Sequence, residues 1–203
     1  MIAPVAAHFS EPVPDRSGQD LTGALLVASP QLRDPNFTRA VVLILDHGDE
    51  GALGVVLNRP TPVDVDEILE PWGPQARLAP PPVVFRGGPV SRDAVIGLGR
   101  SEGEHEDDPP WRAVLESVGT VDLSLAPEDQ PVALHGVRLF SGYAGWAADQ
   151  LEEELAEGAW FPLGALVADV FCVDAEQLWH DVLQRQGGQL ALLSGYPPHP
   201  SFN

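Results

Sequence analysis

Three short segments hold the residues best suited to bind a ligand: Asn58-Arg59-Pro60, Arg86-Gly87-Gly88-Pro89 and Ser141-Gly142-Tyr143-Ala144-Gly145-Trp146. A guanidinium presents a planar fork of donors that matches a carboxylate or phosphate. Adjacent glycines let main-chain amides approach a ligand closely. Arg39, Arg59 and Arg86 would form an anion site with the Gly87-Gly88 amides, and the loops carrying Asn58, Tyr143 and Trp146 would line the same pocket if they converge. The competing reading is structural. In it, Gly87 and Gly88 supply positive φ in a hairpin turn, Asn58 makes an Asx-type bond, and Gly142 and Gly145 let Tyr143 and Trp146 pack over a sheet. Internal pairing is the expected fate of the arginines, because acids outnumber bases by 30 to 11.

The other chemistry-bearing groups form no complete motif. In Gln150-Leu151-Glu152-Glu153-Glu154-Leu155, carboxylates would suit acid/base work or a hard cation. Neighbouring residues on a helix point about 100° apart, so only Gln150 with Glu153 or Glu154 shares a face, and a solvated acidic face is the expectation. The turn Asp46-His47-Gly48-Asp49-Glu50-Gly51 lacks the ligand spacing of a calcium loop. No two histidines stand at the HExxH spacing, and neither Ser141 nor Ser194 sits in a nucleophile elbow. All 11 cations are arginine, which excludes every mechanism that needs a lysine amine. The single cysteine, Cys172, lies in the apolar run VADVFCVD and reads as an inert core thiol in a reducing compartment. No catalytic residue, metal ligand or cofactor is assigned from these patterns.

The elements that would position these groups mix strands and helices. Ala40–Asp46 and Leu53–Leu57 flank a turn at Gly48–Gly51, which predicts a hairpin. Asp64 would cap a short helix ending before Pro71. VVFRGGPVSRDAVIGLG reads as strand, Gly-Gly-Pro turn, strand, and GTVDLSLA as another strand. The acidic stretch Ser101–Pro110 reads as a solvated loop, and PEDQPVALHG stays open between helix and loop. Two helices are predicted near the end. One carries Leu151 and Leu155 and stops at Gly158; the other has a Leu178, Trp179, Val182, Leu183 stripe and stops at Gly187-Gly188. Core positions are expected for Trp146, Trp160 and Trp179, with Trp72 and Trp111 open. The class is α+β, with residues 1–20 as a flexible arm and 21–203 as a single domain.

The formal charge of −19 disfavours direct nucleic-acid binding, which relies on cationic contacts to phosphates. No secretory signal or apolar run of membrane-spanning length stands in the sequence, so a cytoplasmic protein is expected. Taken together, LTGALLVASPQLRDPNFTRAVVLILDH, GALGVVLNRP, FRGGPV, VRLFSGYAGWAADQLEEELAEGAW and the LW of EQLWHDVL resemble the YqgE/AlgH family of bacterial proteins, in that family's order and over most of the chain. The resemblance implies a compact α+β domain in which a small β-barrel or strongly bent sheet is surrounded by helices. It implies a regulatory role, since the family name derives from one proposed in alginate production, and no established enzymatic activity. Two readings follow: a cytoplasmic, non-enzymatic regulatory domain that binds protein partners, with no direct DNA contact, or a binder of small anions, or an enzyme of unrecognised class, using the Asn58/Arg59, Gly87/Gly88 and Tyr143/Trp146 loops. Oligomeric state is not encoded in any pattern.

Overall fold

The computed structural model describes residues 20–103 and 105–196. The arm expected at the amino end lies outside these residues as far as position 19, as do positions 197–203 of the tail. Among the described residues, ten strands form one sheet: β1 (Ala24–Ala28), β2 (Val41–Gly48), β3 (Gly51–Val56), β4 (Pro60–Asp64), β5 (Val83–Arg86), β6 (Val90–Ser101), β7 (Arg112–Leu115), β8 (Val118–Val121), β9 (Leu134–Ala147) and β10 (Trp160–Gly164). The sheet curls into a half-barrel, and the helices pack around it, so the class is α+β as predicted.

The apolar run Val41–Leu45 does not alternate between core and solvent. It alternates between two cores. Val41, Leu43 and Leu45 join Leu25, Val27, Val55 and Leu57 on the inner face, whereas Val42 and Ile44 join Leu26, Ala28 and Val56 on the outer face. A strand covered on both sides has no polar face to show in its sequence. Helix α5 (Leu178–Gln186) covers the inner face with Leu178, Trp179, Val182 and Leu183, the predicted stripe, and α3 (Gln150–Ala156) covers the outer face with Leu151. A third cluster holds Trp72 and Trp111, each 1% exposed, against Val84, Val121, Val137 and Leu139. The structure thus decides that both open tryptophans are core.

The β2–β3 hairpin forms as predicted, paired from Val42↔Val56 to Gly48↔Gly51. The short helix expected to end before Pro71 forms as predicted, but the helical stretch continues beyond it. Helix α1 (Val65–Ile68) is followed by a 3₁₀ turn over Glu70–Trp72 and by α2 (Gly73–Arg77). Pro71 is admitted because a proline at the start of a turn forfeits only an N–H that has no partner there. Asp64 stands at the head of α1, but its side chain makes no capping bond.

The larger correction concerns β5, β6 and β9. The Gly-Gly-Pro segment is not a hairpin turn, since β5 and β6 do not pair with each other. Both flank β9, β5 in parallel (Phe85↔Phe140) and β6 antiparallel (Ile96↔Phe140). The chain therefore runs up one side of β9, crosses over it at Gly87-Gly88-Pro89, and returns down the other. Ser141–Trp146 likewise is no loop at a strand end. It lies inside β9, the 14-residue strand that the sheet is built around.

A bulge explains how β9 serves two halves of the sheet. Phe140 and Tyr143 both face the inner cluster although three residues apart, while Leu139 and Ala144 face the outer clusters. Period-two alternation cannot do this unless one residue is inserted, and Gly142, at φ +69, is that residue. At the same point β9 exchanges its neighbour on one side, from β5 at Leu139–Ser141 to β3 at Ala144–Ala147.

Candidate functional site

The seam where β9 changes neighbour is where the predicted binding residues gather. The Gly87 carbonyl accepts the Val56 N–H at 2.8 Å, and the Gly87 N–H donates to the Ser141 carbonyl at 2.8 Å, so the crossing segment ties β3 to β9. One step back, the Arg86 N–H donates to the Arg59 carbonyl at 2.8 Å. That main-chain bond sets Arg59 and Arg86 side by side. With Pro35, Asn36, Val56 and Gly88 they line a cleft of about 50 Å³.

Neither Arg59 nor Arg86 forms an ion pair among the described residues; Arg77, Arg112 and Arg185 do, with Asp66, Asp46 and Asp169. The expected internal pairing is therefore absent where the cleft lies. Arg59 is anchored by main-chain acceptors instead, donating to the Thr38 carbonyl and, at 3.2 Å, to the Asn58 carbonyl. Burial pulls its guanidinium below the ordinary arginine value, the neighbouring Arg86 charge adds to this, and the Glu176 carboxylate opposes it more weakly. Arg86 is exposed.

Gly87 and Gly88 are glycines for a reason other than the turn geometry expected. Neither has positive φ. A Cβ on Gly88 would stand 2.1 Å from the Tyr143 carbonyl carbon, and one on Gly87 would stand 2.2 Å from the Gly142 carbonyl oxygen. Only a chain without side chains can cross β9 this closely.

Asn58 and Arg39 serve the architecture. Asn58 is 2% exposed; its Oδ1 accepts the Val41 N–H at 3.0 Å and its Nδ2 donates to the Arg39 carbonyl at 2.8 Å. These bonds span many residues, so they clamp the β3–β4 link to the start of β2 and are not an Asx turn. The Arg39 guanidinium lies 4.7 Å over the Trp179 ring and donates to the Tyr196 carbonyl, and burial lowers its pKa. It thus points at the end of helix α6 (Gly188–Ser194) and not into the cleft.

Trp146 and Gln150 do not line the cleft either. Trp146 and Trp160 both donate through Nε1 to Glu154 Oε2, at 3.0 and 2.7 Å, and Gln150 Nε2 donates to Glu154 Oε1 at 2.9 Å. The two indoles meet edge to face at 5.9 Å, with Phe37 against both. Glu154, read from sequence as part of a solvated face, is the acceptor that lets two indoles be buried. Replacing it by alanine orphans two buried N–H groups. Glu154→Ala is expected to lower stability by about 2–4 kcal/mol in urea unfolding, and a loss under about 0.5 would show that the carboxylate is dispensable. Tyr143 packs against the inner cluster.

Cys172 is a half-buried free thiol. Burial pushes its pKa above the ordinary value, against a main-chain hydrogen bond at Asp174 and the nearby Arg138 charge, which pull it down. Labelling with a disulfide reagent at pH 7.5 is expected to run at least about tenfold slower in the folded protein than in urea, because the thiolate is the reacting form. Equal rates would contradict the burial.

Elsewhere, a broad depression of about 520 Å³ is lined by His105, Glu106, Ala113, Val114, Leu115 and Glu116, none of them a predicted site residue. No group of three or more His, Cys, Asp or Glu among the described residues is placed to hold a metal. No helix among them is long and apolar enough to cross a membrane.

Comparison with known proteins supplies the lineage. The family described as AlgH-like, a domain of unknown function, matches residues 25–191. The chain belongs to the AlgH-like family. Its relatives include a UPF0301 protein of Streptomyces avermitilis, 53% identical over 186 residues, covering 90% of this chain and 95% of the relative. A UPF0301 protein of Mycobacterium tuberculosis is 42% identical over 183 residues, covering 89% and 90%. Among solved structures, the crystal structure of a Corynebacterium diphtheriae protein is 31% identical with a TM-score of 0.79, covering 94% of this chain and 96% of that one. The solution structure of AlgH from Pseudomonas aeruginosa is 29% identical with a TM-score of 0.60, covering 90% and 97%. The AlgH-like match takes in every candidate residue of the cleft, from Pro35 to Gly88.

Proposed function

We propose that this AlgH-like protein is a non-enzymatic receptor for a small oxyanion, bound between Arg59 and Arg86, and that occupancy regulates what the protein does with a protein partner in the cytoplasm. The observation that carries the reading is the convergence of two guanidiniums in one cleft with no carboxylate paired to either, in a chain of 30 acids. Arg39 and Arg138 also lack a carboxylate, but their guanidiniums are taken up by main-chain carbonyls and aromatic rings, whereas the Arg86 guanidinium makes no such contact among the described residues. The choice of binding over turnover rests on the lining. Pro35, Asn36, Val56, Arg59, Arg86 and Gly88 include no nucleophile and no group that exchanges a proton near neutral pH. The chemistry available at the cleft is therefore hydrogen bonding and charge.

The test is a titration of the full chain with inorganic sulfate and phosphate, followed by amide chemical shifts. Shifts confined to the Asn36, Arg59 and Arg86–Gly88 region, and weakened at least about tenfold by Arg86→Gln, are expected. Arg86 is the cleaner variant because it is exposed, whereas Arg59 also anchors two carbonyls. No saturable shift at millimolar anion would sink the reading.

A further inference from the structure

We infer that the ligand class at this cleft is a compact dianion, a phosphomonoester head group, and not a monocarboxylate or a phosphodiester; this rests on the anion-receptor reading above. Three observations point the same way.

The first is charge count. Arg59 and Arg86 are joined by a main-chain hydrogen bond and line one cleft, so the two charges are felt at one place. No carboxylate among the described residues stands within ion-pair distance of either arginine, and Glu176 acts on Arg59 only from beyond it. A carboxylate or diester brings one negative charge and leaves the second guanidinium uncompensated. A phosphomonoester above its second pKa of about 6 brings nearly two.

The second is the number of donors. Arg59 commits two of its five N–H bonds to the Thr38 and Asn58 carbonyls, which fixes its plane, and keeps three. Arg86 brings its own fork from the adjacent strand. Three terminal phosphoryl oxygens can accept from both forks at once, whereas a carboxylate offers two oxygens in one plane.

The third is size. A space of about 50 Å³ holds a few waters or an oxyanion head and nothing larger, so the rest of the ligand stays outside. Outside it meets a protein of net charge −19, which repels extended polyanions such as nucleic acids and tolerates a short ester with a neutral tail. Glycerol 3-phosphate has the required chemistry and serves as the probe.

Calorimetric titrations of the full chain with glycerol 3-phosphate, sulfate, acetate and dimethyl phosphate, each at pH 5.0 and 7.5, test the inference. Glycerol 3-phosphate is expected to bind about tenfold more tightly at pH 7.5 than at pH 5.0, as its second proton leaves with a pKa near 6. Sulfate, a dianion at both values, is expected to bind equally at both, while acetate and dimethyl phosphate bind at least about tenfold more weakly than the phosphomonoester at pH 7.5. Arg86→Gln should abolish the preference for dianions, since one guanidinium then suffices. Acetate binding as tightly as glycerol 3-phosphate, a phosphomonoester affinity indifferent to pH, or sulfate binding without the phosphomonoester would overturn the ligand class while leaving an anion site in place. Failure of all four to bind at both pH values would remove the anion-receptor reading itself.

Discussion

Gly88→Ala is expected to cost more than about 3 kcal/mol of stability, and to leave much of the protein unfolded if the fold has only a typical margin. The added Cβ would lie 2.1 Å from the Tyr143 carbonyl carbon, 2.2 Å from its oxygen and 2.4 Å from the Ala144 nitrogen. All three are main-chain atoms of β9, so no rotamer change relieves the clash. Relief requires lifting the crossing segment off the sheet, which would break the Val56-to-Gly87 and Gly87-to-Ser141 main-chain bonds. Gly164→Ala is the control, because a Cβ there has nothing within 4 Å and the φ is not positive. Its effect is expected within about 0.5 kcal/mol. Urea denaturation of both variants reads the contrast directly. A Gly88→Ala protein within about 1 kcal/mol of the parent would mean that the chain does not cross β9 as closely as described.

Arg138→Met is expected to lose about 3–5 kcal/mol, although methionine is a comparable apolar chain. Arg138 sits on the inner face of β9 at 1% exposure, 4.4 Å over the Phe85 ring. It donates to the Val170 and Pro80 carbonyls at 2.8 Å and to the Cys172 carbonyl at 3.0 Å. Burial lowers its pKa to about 10, which leaves it charged at neutral pH. No carboxylate pairs with it among the described residues. The charge is instead spread over three carbonyl dipoles: one from the α2-to-β5 connection, one from the end of helix α4 (Val167–Val170) and one from the loop after it. Methionine would leave the buried Val170 carbonyl and the part-buried Pro80 and Cys172 carbonyls without this donor, and a buried unpaired group costs roughly 1–3 kcal/mol. The same urea series measures it, and a loss under about 1 kcal/mol would show that water reaches those carbonyls. Arg138 and Glu154 share a logic: one buried charged side chain satisfies several polar groups that have no other partner.

Neither residue was visible as such in the sequence, and the reason is the same for both. Arg138 stands in VALHGVRLFSGYAGWA, where glycines, a charge and an inverted alternation hide the longest strand of the protein. The period-two signal assumes that every second residue faces the same way, and the Gly142 bulge breaks that assumption in mid-strand. Glu154 is one of three consecutive glutamates, and only the approach of Trp146 and Trp160 singles it out. Helix spacing did foretell that Gln150 and Glu154 would meet, four residues apart. By contrast the β2–β3 hairpin and the α5 stripe were legible, because their turn residues and apolar spacing are local.

By itself, then, the sequence determined the α+β class, the family, the hairpin, the apolar faces of the two later helices and the three arginine- and glycine-bearing segments worth examining. The family rests on the order of several segments over most of the chain, and the rest depend on residue order within short spans, where propensity and periodicity act. The tertiary structure alone decided that Arg59 and Arg86 share a cleft while Arg39, Tyr143, Trp146 and Gln150 do not line it. It also decided that Gly87 and Gly88 are required by a strand crossing. Those outcomes turn on which distant segments touch, here residues 35, 59, 86 and 142, and contact between segments so far apart is set by how the whole sheet closes.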